Sequence, residues 1–233
     1  LLATADRLAG LRSDVRFLLP VAPTTSPREL LAYGSPSNPL APSYLSGEPQ
    51  LETTVSGGLL LRTPAGTPIH LETGHPAHGP VSQCALALTT VGANTAELGA
   101  LGVPMIVLVP TQHLHLMQAW DGGLGILARL PLLRRLFGVA LTAWRMRHRG
   151  FLAWPNISAG RLVVPERVGA ITPEEIAAEA AGWLAQPGRL EGVRADLRAL
   201  RGQPGAVDAV ARMVLGLASA SDSHQRHVPQ EDG

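Results

Sequence analysis

The stretch that most constrains the fold is residues 91–110, with the sequence VGANTAELGALGVPMIVLVP. Gly92 allows a tight turn, Asn94 and Thr95 are residue types that cap helices, and AELGAL favours continuation of a helix. The uninterrupted apolar run at residues 105–109 is typical of a strand buried on both faces, as in a parallel sheet. The stretch therefore predicts a turn, a helix and a buried strand in direct succession.

The same alternation of helix and strand patterns extends along most of the chain. Strands are predicted at residues 15–19, 58–62, 67–72, 84–90 and 105–109, and helices at 1–12, 26–33, 93–101, 172–185, 189–200 and 206–217. Residues 58–72 fit either a β-hairpin or two successive strands, and residues 34–56, rich in Pro, Ser and Gly, are predicted to be a loop. This order indicates an α/β fold, a Rossmann-like parallel sheet with helices on both faces.

Composition narrows the class of protein. The chain has 233 residues, 45% of them hydrophobic and 16% charged, which favours a folded globular protein. A net charge of +1 gives no general reason to expect nucleic-acid binding. The single cysteine, Cys84, excludes an intramolecular disulfide, and its apolar neighbours favour a small buried residue over a nucleophile.

The histidines raise the question of a metal site. His70, His75 and His78 lie in a loop-rich stretch, and His113 and His115 form an H-x-H pair. A zinc site needs three or four convergent ligands, and neither a CxxC nor an HExxH motif is present. We therefore expect neither a metal nor another cofactor.

The first residues fit an amphipathic helix that has already begun, without an initiator methionine or a signal-peptide pattern. We therefore expect the chain to be the C-terminal portion of a longer protein. Residues 1–218 are predicted to form one domain. Residues 219–233 are polar and lack a core-forming pattern, so they are predicted to be disordered.

The glycine turn is also the candidate binding site. A helix N-terminus presents backbone N–H groups and the positive end of the helix dipole, which suits a diphosphate. Glu97 lies about one turn further along, where a carboxylate can accept hydrogen bonds from ribose hydroxyls. Ligands of parallel α/β sheets bind at the carboxyl ends of strands, which is where this turn is predicted. The pattern therefore indicates a nucleotide-sugar site.

Together with PNISAGRLVVPE at residues 155–166, this stretch resembles the C-terminal, donor-binding domain of lipid-A-disaccharide synthase and its relatives. These are inverting glycosyltransferases with two Rossmann domains (GT-B). The resemblance covers residues 1–217 and is strongest at 87–110 and 153–166. The UDP-sugar-binding residues that it implies are Gly92, Ala93, Asn94 and Thr95 at the diphosphate, Glu97 at the ribose, and Asn156 and Arg161 in the donor pocket.

The resemblance implies transfer of an N-acetylglucosamine-type sugar from a UDP-sugar to a lipid-linked acceptor. The general base belongs to the family's acceptor domain, so no catalytic residue is expected here, and the chain alone should bind weakly without catalysing. Val91 and Ala93 stand where the family usually has Ser and Thr. The alternatives are a non-catalytic nucleotide-sugar-binding remnant or interaction module, and a UDP-sugar epimerase, which PNISAGR disfavours. Acceptor identity and oligomeric state stay open.

Each site residue also has a structural interpretation. Glu97 fits a solvated acid that complements the helix dipole, and Asn156 after a proline fits a turn or N-cap. Arg161 fits a loop-holding residue that donates to carbonyls or to Glu166, and Glu166 itself fits a structural role. Both interpretations stay open for each residue.

Residues 122–149 are rich in leucine and arginine. The arginines are too frequent for a membrane-spanning helix, which needs roughly 20 mostly uncharged residues. Two alternatives remain: an interfacial helix on an anionic membrane, and helices packed on the sheet with their arginines reaching water. Nucleic-acid binding is not expected, since aromatic residues do not alternate with the arginines. The family resemblance implies a cytoplasmic protein, and the first alternative would place it peripherally on the inner face of the cell membrane.

Overall fold

The computed structural model describes residues 1–38, 44–45, 47–110 and 150–202, together with 205, 208 and 210–215. It divides into two units, Leu1–Leu200 and Arg201–Gly233. In the second unit residues 208 and 210–215 are helical, in agreement with the helix predicted at 206–217. The predictions for residues 122–149 and 219–233, and the H-x-H pair of His113 and His115, lie outside the described residues.

The first unit alternates helices and strands, as predicted. The helices are α1 (Leu2–Leu11), α2 (Pro27–Gly34), α3 (His78–Ser82), α4 (Ala93–Leu101), α5 (Trp154–Ala159), α6 (Pro173–Leu184) and α7 (Pro187–Leu200). The strands are β1 (Phe17–Pro20), β2 (Gln50–Thr53), β3 (Leu59–Arg62), β4 (Pro68–Glu72), β5 (Ala87–Thr90), β6 (Met105–Pro110) and β7 (Glu166–Gly169). Helices α2 and α6 begin with the capping boxes of Ser26 and Thr172.

The strands form two sheets. One contains four strands in the order β1-β4-β3-β2, with β1 parallel to β4 and the other pairs antiparallel. Strands β3 and β4 form a β-hairpin, which was one of the two arrangements predicted for residues 58–72. The other sheet contains the parallel strands β5-β6-β7. The predicted α/β fold with a helix-flanked parallel sheet is confirmed.

The two faces of β6 show why its sequence is apolar throughout. Ile106 and Leu108 pack with residues of α1, α6 and α7 on one face. Met105 and Val107 pack with residues 153 and 163–164 and with Leu197 on the other. Helix α7 contributes to both faces. Because both faces are covered, no polar position is tolerated along the strand, and β6 is the central strand of the parallel sheet.

Two local predictions were wrong. The predicted loop at residues 34–56 contains β2, which pairs with β3 and is braced by a two-fold hydrogen bond from Arg62 to Glu52. Leu51 is its only large apolar residue, so neighbouring β3, rather than local pattern, specifies the strand. Residues 84–86 of the predicted strand 84–90 do not belong to a strand, since β5 begins at Ala87. The helices α3 and α5 and the strand β7 were not predicted, because HGPVS, WPNISA and ERVG are short and contain Pro, Gly or polar residues.

Candidate functional site

The turn between β5 and α4 lies at the carboxyl end of the parallel sheet, where the sequence predicted the site. Gly92 is the N-cap of α4, with a φ of 150° that side chains of L-residues rarely adopt. A Cβ at this position would meet no atom within 4 Å. The backbone conformation, rather than crowding by the protein, therefore requires glycine here, and the space beside it is open.

The first turn of α4 offers backbone donors. Within the part of the chain that the structure describes, the N–H groups of Ala93 and Asn94 donate to no acceptor, and both residues are exposed. They lie at the positive end of the helix dipole. This is the arrangement predicted for an anion such as a diphosphate.

Glu97 lies on the same face of α4, four residues after Ala93 and three after Asn94. Its side chain is 57% exposed, and its Oε1 is 3.0 Å from the Nε2 atom of His78 on α3. From the sequence, His78 was identified only as a candidate metal ligand. No sequence pattern links residues 78 and 97, because only the packing of α3 on α4 brings them together.

Thr95 differs from its neighbours because its side chain is fully buried. Its hydroxyl donates to the carbonyl oxygen of Gly92 (2.9 Å) and accepts from the backbone N–H of Trp154 (3.1 Å). One buried hydroxyl thus connects the glycine turn to α5, the helix formed by the second sequence motif. Contact of Thr95 with a diphosphate stays a prediction, but these two bonds already occupy its hydroxyl.

Replacing Thr95 with valine should lower the free energy of unfolding by about 1–3 kcal/mol. Valine has nearly the same shape but leaves the N–H of Trp154 without its acceptor. Thr95→Ser retains the hydroxyl and is the matched control, with a smaller loss. Urea unfolding of both variants checks this; a smaller loss for valine than for serine would show that the methyl group, not the hydroxyl, matters.

Asn156 is the third residue of α5, so its interpretation as a turn residue or N-cap is wrong, and it is fully buried. Its Oδ1 accepts from the N–H groups of Val163 (2.7 Å) and Val164 (2.9 Å), and its Nδ2 donates to the carbonyl oxygen of Val164 (2.8 Å). Nδ2 also donates to Oε1 of Glu166, at 2.7 Å. The amide therefore folds residues 156–166 into a closed loop, and its place in the donor pocket stays a prediction.

Glu166 completes this network, in agreement with its structural interpretation. Its Oε1 accepts from the N–H groups of Leu152 (3.0 Å) and Ala153 (2.9 Å) as well as from Asn156. A glutamate at the start of β7 thereby holds the segment that leads into α5. Asn156 and Glu166, which lie near the two ends of the second motif, thus belong to one hydrogen-bond network.

Arg161 is exposed and pairs with Asp196 of α7, with Nη2 3.0 Å from Oδ1. The structural interpretation had proposed Glu166 or backbone carbonyls as its partners, whereas the structure gives Asp196. An exposed ion pair contributes little to stability, so the guanidinium can exchange Asp196 for a ligand at small cost. Its role in the donor pocket stays a prediction.

Helices α4 and α5 pack closely at one point. A Cβ on Gly99 would lie 3.1 Å from Cγ of Pro155, so this glycine lets the helices approach. With the Thr95 bridge, this contact places the two sequence motifs side by side. The structure thus brings the glycine turn and the PN motif into one region, although they are separated by about sixty residues in sequence.

Other chemistry has little support in the part of the chain that the structure describes. No group of three or more His, Cys, Asp or Glu residues there could hold a metal ion. Cys84 is partly buried, and burial raises the pKa of its thiol, which disfavours a nucleophilic thiolate. Among these residues, no helix combines the length and apolar character needed to span a bilayer.

Comparison with known proteins points to one family. The chain is 34% identical over 140 residues to a lipid-A-disaccharide synthase of Syntrophus aciditrophicus (strain SB), a match covering 58% of this chain and 30% of that protein. It is 26% identical over 221 residues to the lipid-A-disaccharide synthases of Anaeromyxobacter sp. (strain K) and Anaeromyxobacter dehalogenans (strain 2CP-1 / ATCC BAA-258), covering 93% of this chain and 44% of each. No family model matches the chain, and no solved structure matches it significantly.

These matches support a distant relationship to lipid-A-disaccharide synthases, the proteins that the two sequence motifs also resemble. The chain spans less than half the length of the curated relatives it matches.

Proposed function

We propose that the chain is the UDP-sugar-binding, C-terminal half of a GT-B glycosyltransferase similar to lipid-A-disaccharide synthase. One observation carries the proposal. The exposed N-terminus of α4 lies at the carboxyl end of β5, with Glu97 one turn further along the same face. The names of the relatives support the choice of sugar transfer as the chemistry.

The spacing fits a nucleoside diphosphate. The N–H groups of Ala93 and Asn94 would donate to phosphate oxygens, where the helix dipole favours negative charge. Four residues of helix rise about 6 Å from Ala93 to Glu97. That separation is comparable with the one between the phosphates and the ribose hydroxyls of UDP, so the carboxylate would accept from the ribose while the diphosphate sits at the turn.

The proposed chemistry is an inverting transfer of an N-acetylglucosamine-type sugar to a lipid-linked sugar acceptor. Such a reaction needs a base for the acceptor hydroxyl and N–H dipoles or cations that stabilise the leaving UDP. We assign this chain the second task, with Arg161 as a candidate cation, and the first to an acceptor domain. Alone, the chain should bind the donor without turning it over.

A lipid-linked acceptor places the proposed reaction at a membrane surface, on the cytoplasmic side. The leucine- and arginine-rich residues 122–149 are the candidate contact with anionic lipid. This contact is proposed from sequence alone.

Glu97→Ala should weaken UDP binding by about 1–3 kcal/mol, because the ribose hydroxyls lose a charged acceptor. Saturation-transfer NMR of the full chain with UDP, UDP-N-acetylglucosamine and ATP measures this even at millimolar affinity. We expect transfer to uridine and ribose protons in the wild-type chain and a large reduction in the variant.

Glu191→Ala is the matched control, since Glu191 is also an exposed helical glutamate in ion pairs, on α7. It should bind UDP as the wild-type chain does. Unchanged affinity in Glu97→Ala would return Glu97 to the role of a solvated acid and contradict the proposal.

A second candidate is a non-catalytic nucleotide-sugar-binding or interaction module. It is favoured by the absence of hydroxyls at Val91 and Ala93, and by the use of the Thr95 and Asn156 side chains within the protein itself. Joining the chain to the acceptor domain of a relative separates the candidates. Sugar transfer by the joined protein supports the enzyme, whereas binding without transfer supports the module.

A further inference from the structure

His78 and Glu97 form a contact between two helices at the candidate site. Nε2 of His78 lies 3.0 Å from Oε1 of Glu97, and the two side chains are 52% and 57% exposed. His78 is the first residue of α3, and α3 packs on α4. The histidine is thus beside the carboxylate that is proposed to bind ribose.

Helix α3 has no buried residue, but a hydrogen bond just beyond its C-terminus connects it to α7. Arg194 of α7, whose side chain is only 18% exposed, donates from Nη2 to the carbonyl oxygen of Cys84, just after α3, at 3.3 Å. Within α3, the N–H of Val81 donates to the carbonyl oxygen of Ala77 at 3.1 Å. The place of His78 beside α4 therefore rests on the contact of α3 with α4 and on the hydrogen bond to α7, as well as on its contact with Glu97.

The pair is a close contact between an imidazole nitrogen and one carboxylate oxygen. A carboxylate only accepts hydrogen bonds, so Nε2 of His78 is the atom of the pair that can donate. The contact involves Oε1 alone, which leaves Oε2 able to accept from a second partner. The contact limits the positions open to the Glu97 side chain without occupying both of its oxygens.

We propose that His78 is a positioning residue for ribose recognition and that, by holding Glu97, it makes the site select ribonucleotides over 2′-deoxyribonucleotides. A glutamate side chain loses rotamer freedom when it is fixed, and a ligand that must fix it binds more weakly. Because His78 restrains the Glu97 side chain in the free protein, part of this rotamer entropy is lost before the ligand binds. The inference rests on the proposed function, since it assumes that Glu97 accepts from the ribose hydroxyls.

The test compares the affinities of the full chain for UDP and 2′-deoxy-UDP by NMR titration. The variants are His78→Ala, His78→Gln, Glu97→Ala and the double variant His78→Ala/Glu97→Ala. The wild-type chain should prefer UDP. His78→Ala should weaken UDP binding by about three- to fivefold, with a smaller change for 2′-deoxy-UDP, which keeps only the 3′-hydroxyl. His78→Gln should restore part of the preference, because its amide can also donate to the carboxylate.

A purely structural histidine would change both affinities equally, so the ratio of the two is the decisive readout. In the Glu97→Ala background, His78→Ala should have no further effect on that ratio. His70→Ala, an exposed histidine of β4 in the other sheet, is the matched control and should change neither affinity. Thermal unfolding verifies that each variant is folded.

The remaining outcomes overturn the inference in distinguishable ways. If Glu97→Ala loses UDP binding while His78→Ala keeps the wild-type affinity and preference, the role of His78 is wrong and the proposed function stands. Tighter UDP binding by His78→Ala would show that the histidine competes with ribose. If the folded wild-type chain binds neither nucleotide, or Glu97→Ala binds both as the wild type does, the proposed function fails and the inference fails with it.

Discussion

Asn156→Ala is expected to lower the free energy of unfolding by about 3–5 kcal/mol. The alanine removes an amide that makes four hydrogen bonds in a fully buried position. The N–H groups of Val163 and Val164 are then left without their acceptor, and a buried unsatisfied group costs about 1–3 kcal/mol. Urea unfolding followed by circular dichroism measures the loss.

Asn94→Ala is the matched control, because Asn94 is an exposed asparagine in the first turn of α4. Its stability should stay within about 0.5 kcal/mol of the wild type. Asn156→Asp should destabilise at least as much as Asn156→Ala, since it sets a second carboxylate against Glu166. A loss below 1 kcal/mol for Asn156→Ala would contradict the role of the amide in closing residues 156–166.

Glu166→Ala is expected to cost about 2–4 kcal/mol. Its carboxylate accepts from the N–H groups of Leu152 and Ala153 and from Nδ2 of Asn156, and alanine supplies no acceptor for any of them. Glu166→Gln retains one carbonyl oxygen at the position of Oε1 and should cost only about 1 kcal/mol. The same unfolding experiment measures both variants.

The two residues share one network, so their effects should not add. The double variant Asn156→Ala/Glu166→Ala should be more stable than the sum of the single losses implies, by about 0.5–3 kcal/mol. Strict additivity would mean that the hydrogen bond between Nδ2 and Oε1 contributes nothing. Equal losses for Glu166→Ala and Glu166→Gln would show that charge, rather than acceptance by Oε1, stabilises the segment.

The local features of the site could be predicted because they depend on neighbouring residues. The turn at Gly92, the helix after it and the buried strand β6 follow from backbone freedom, capping preference and an uninterrupted apolar run. The N-caps at Ser26 and Thr172 follow from the same local rules and are confirmed. Each of these features needs only a few consecutive residues to be specified.

The features that were missed depend on distant residues. Strand β2 exists because β3 pairs with it, and α3 is too short and too rich in Gly and Pro to be stable alone. The contact of His78 with Glu97 and the pairing of Arg161 with Asp196 follow from how helices pack. The hydrophobic periodicity of a sequence does not indicate which exposed side chains will contact each other.

The sequence by itself determined the α/β fold, the central buried strand and the position of the glycine turn at the end of a parallel strand. It also carried, in two short motifs, the resemblance to lipid-A-disaccharide synthase. Only the tertiary structure decided which side chains of those motifs face outward and which hold the protein together. Glu97 is exposed, whereas Thr95 and Asn156 are buried with their polar atoms hydrogen-bonded. The reason is physical: backbone preference acts locally, whereas burial and hydrogen-bond partners are set only when distant segments pack.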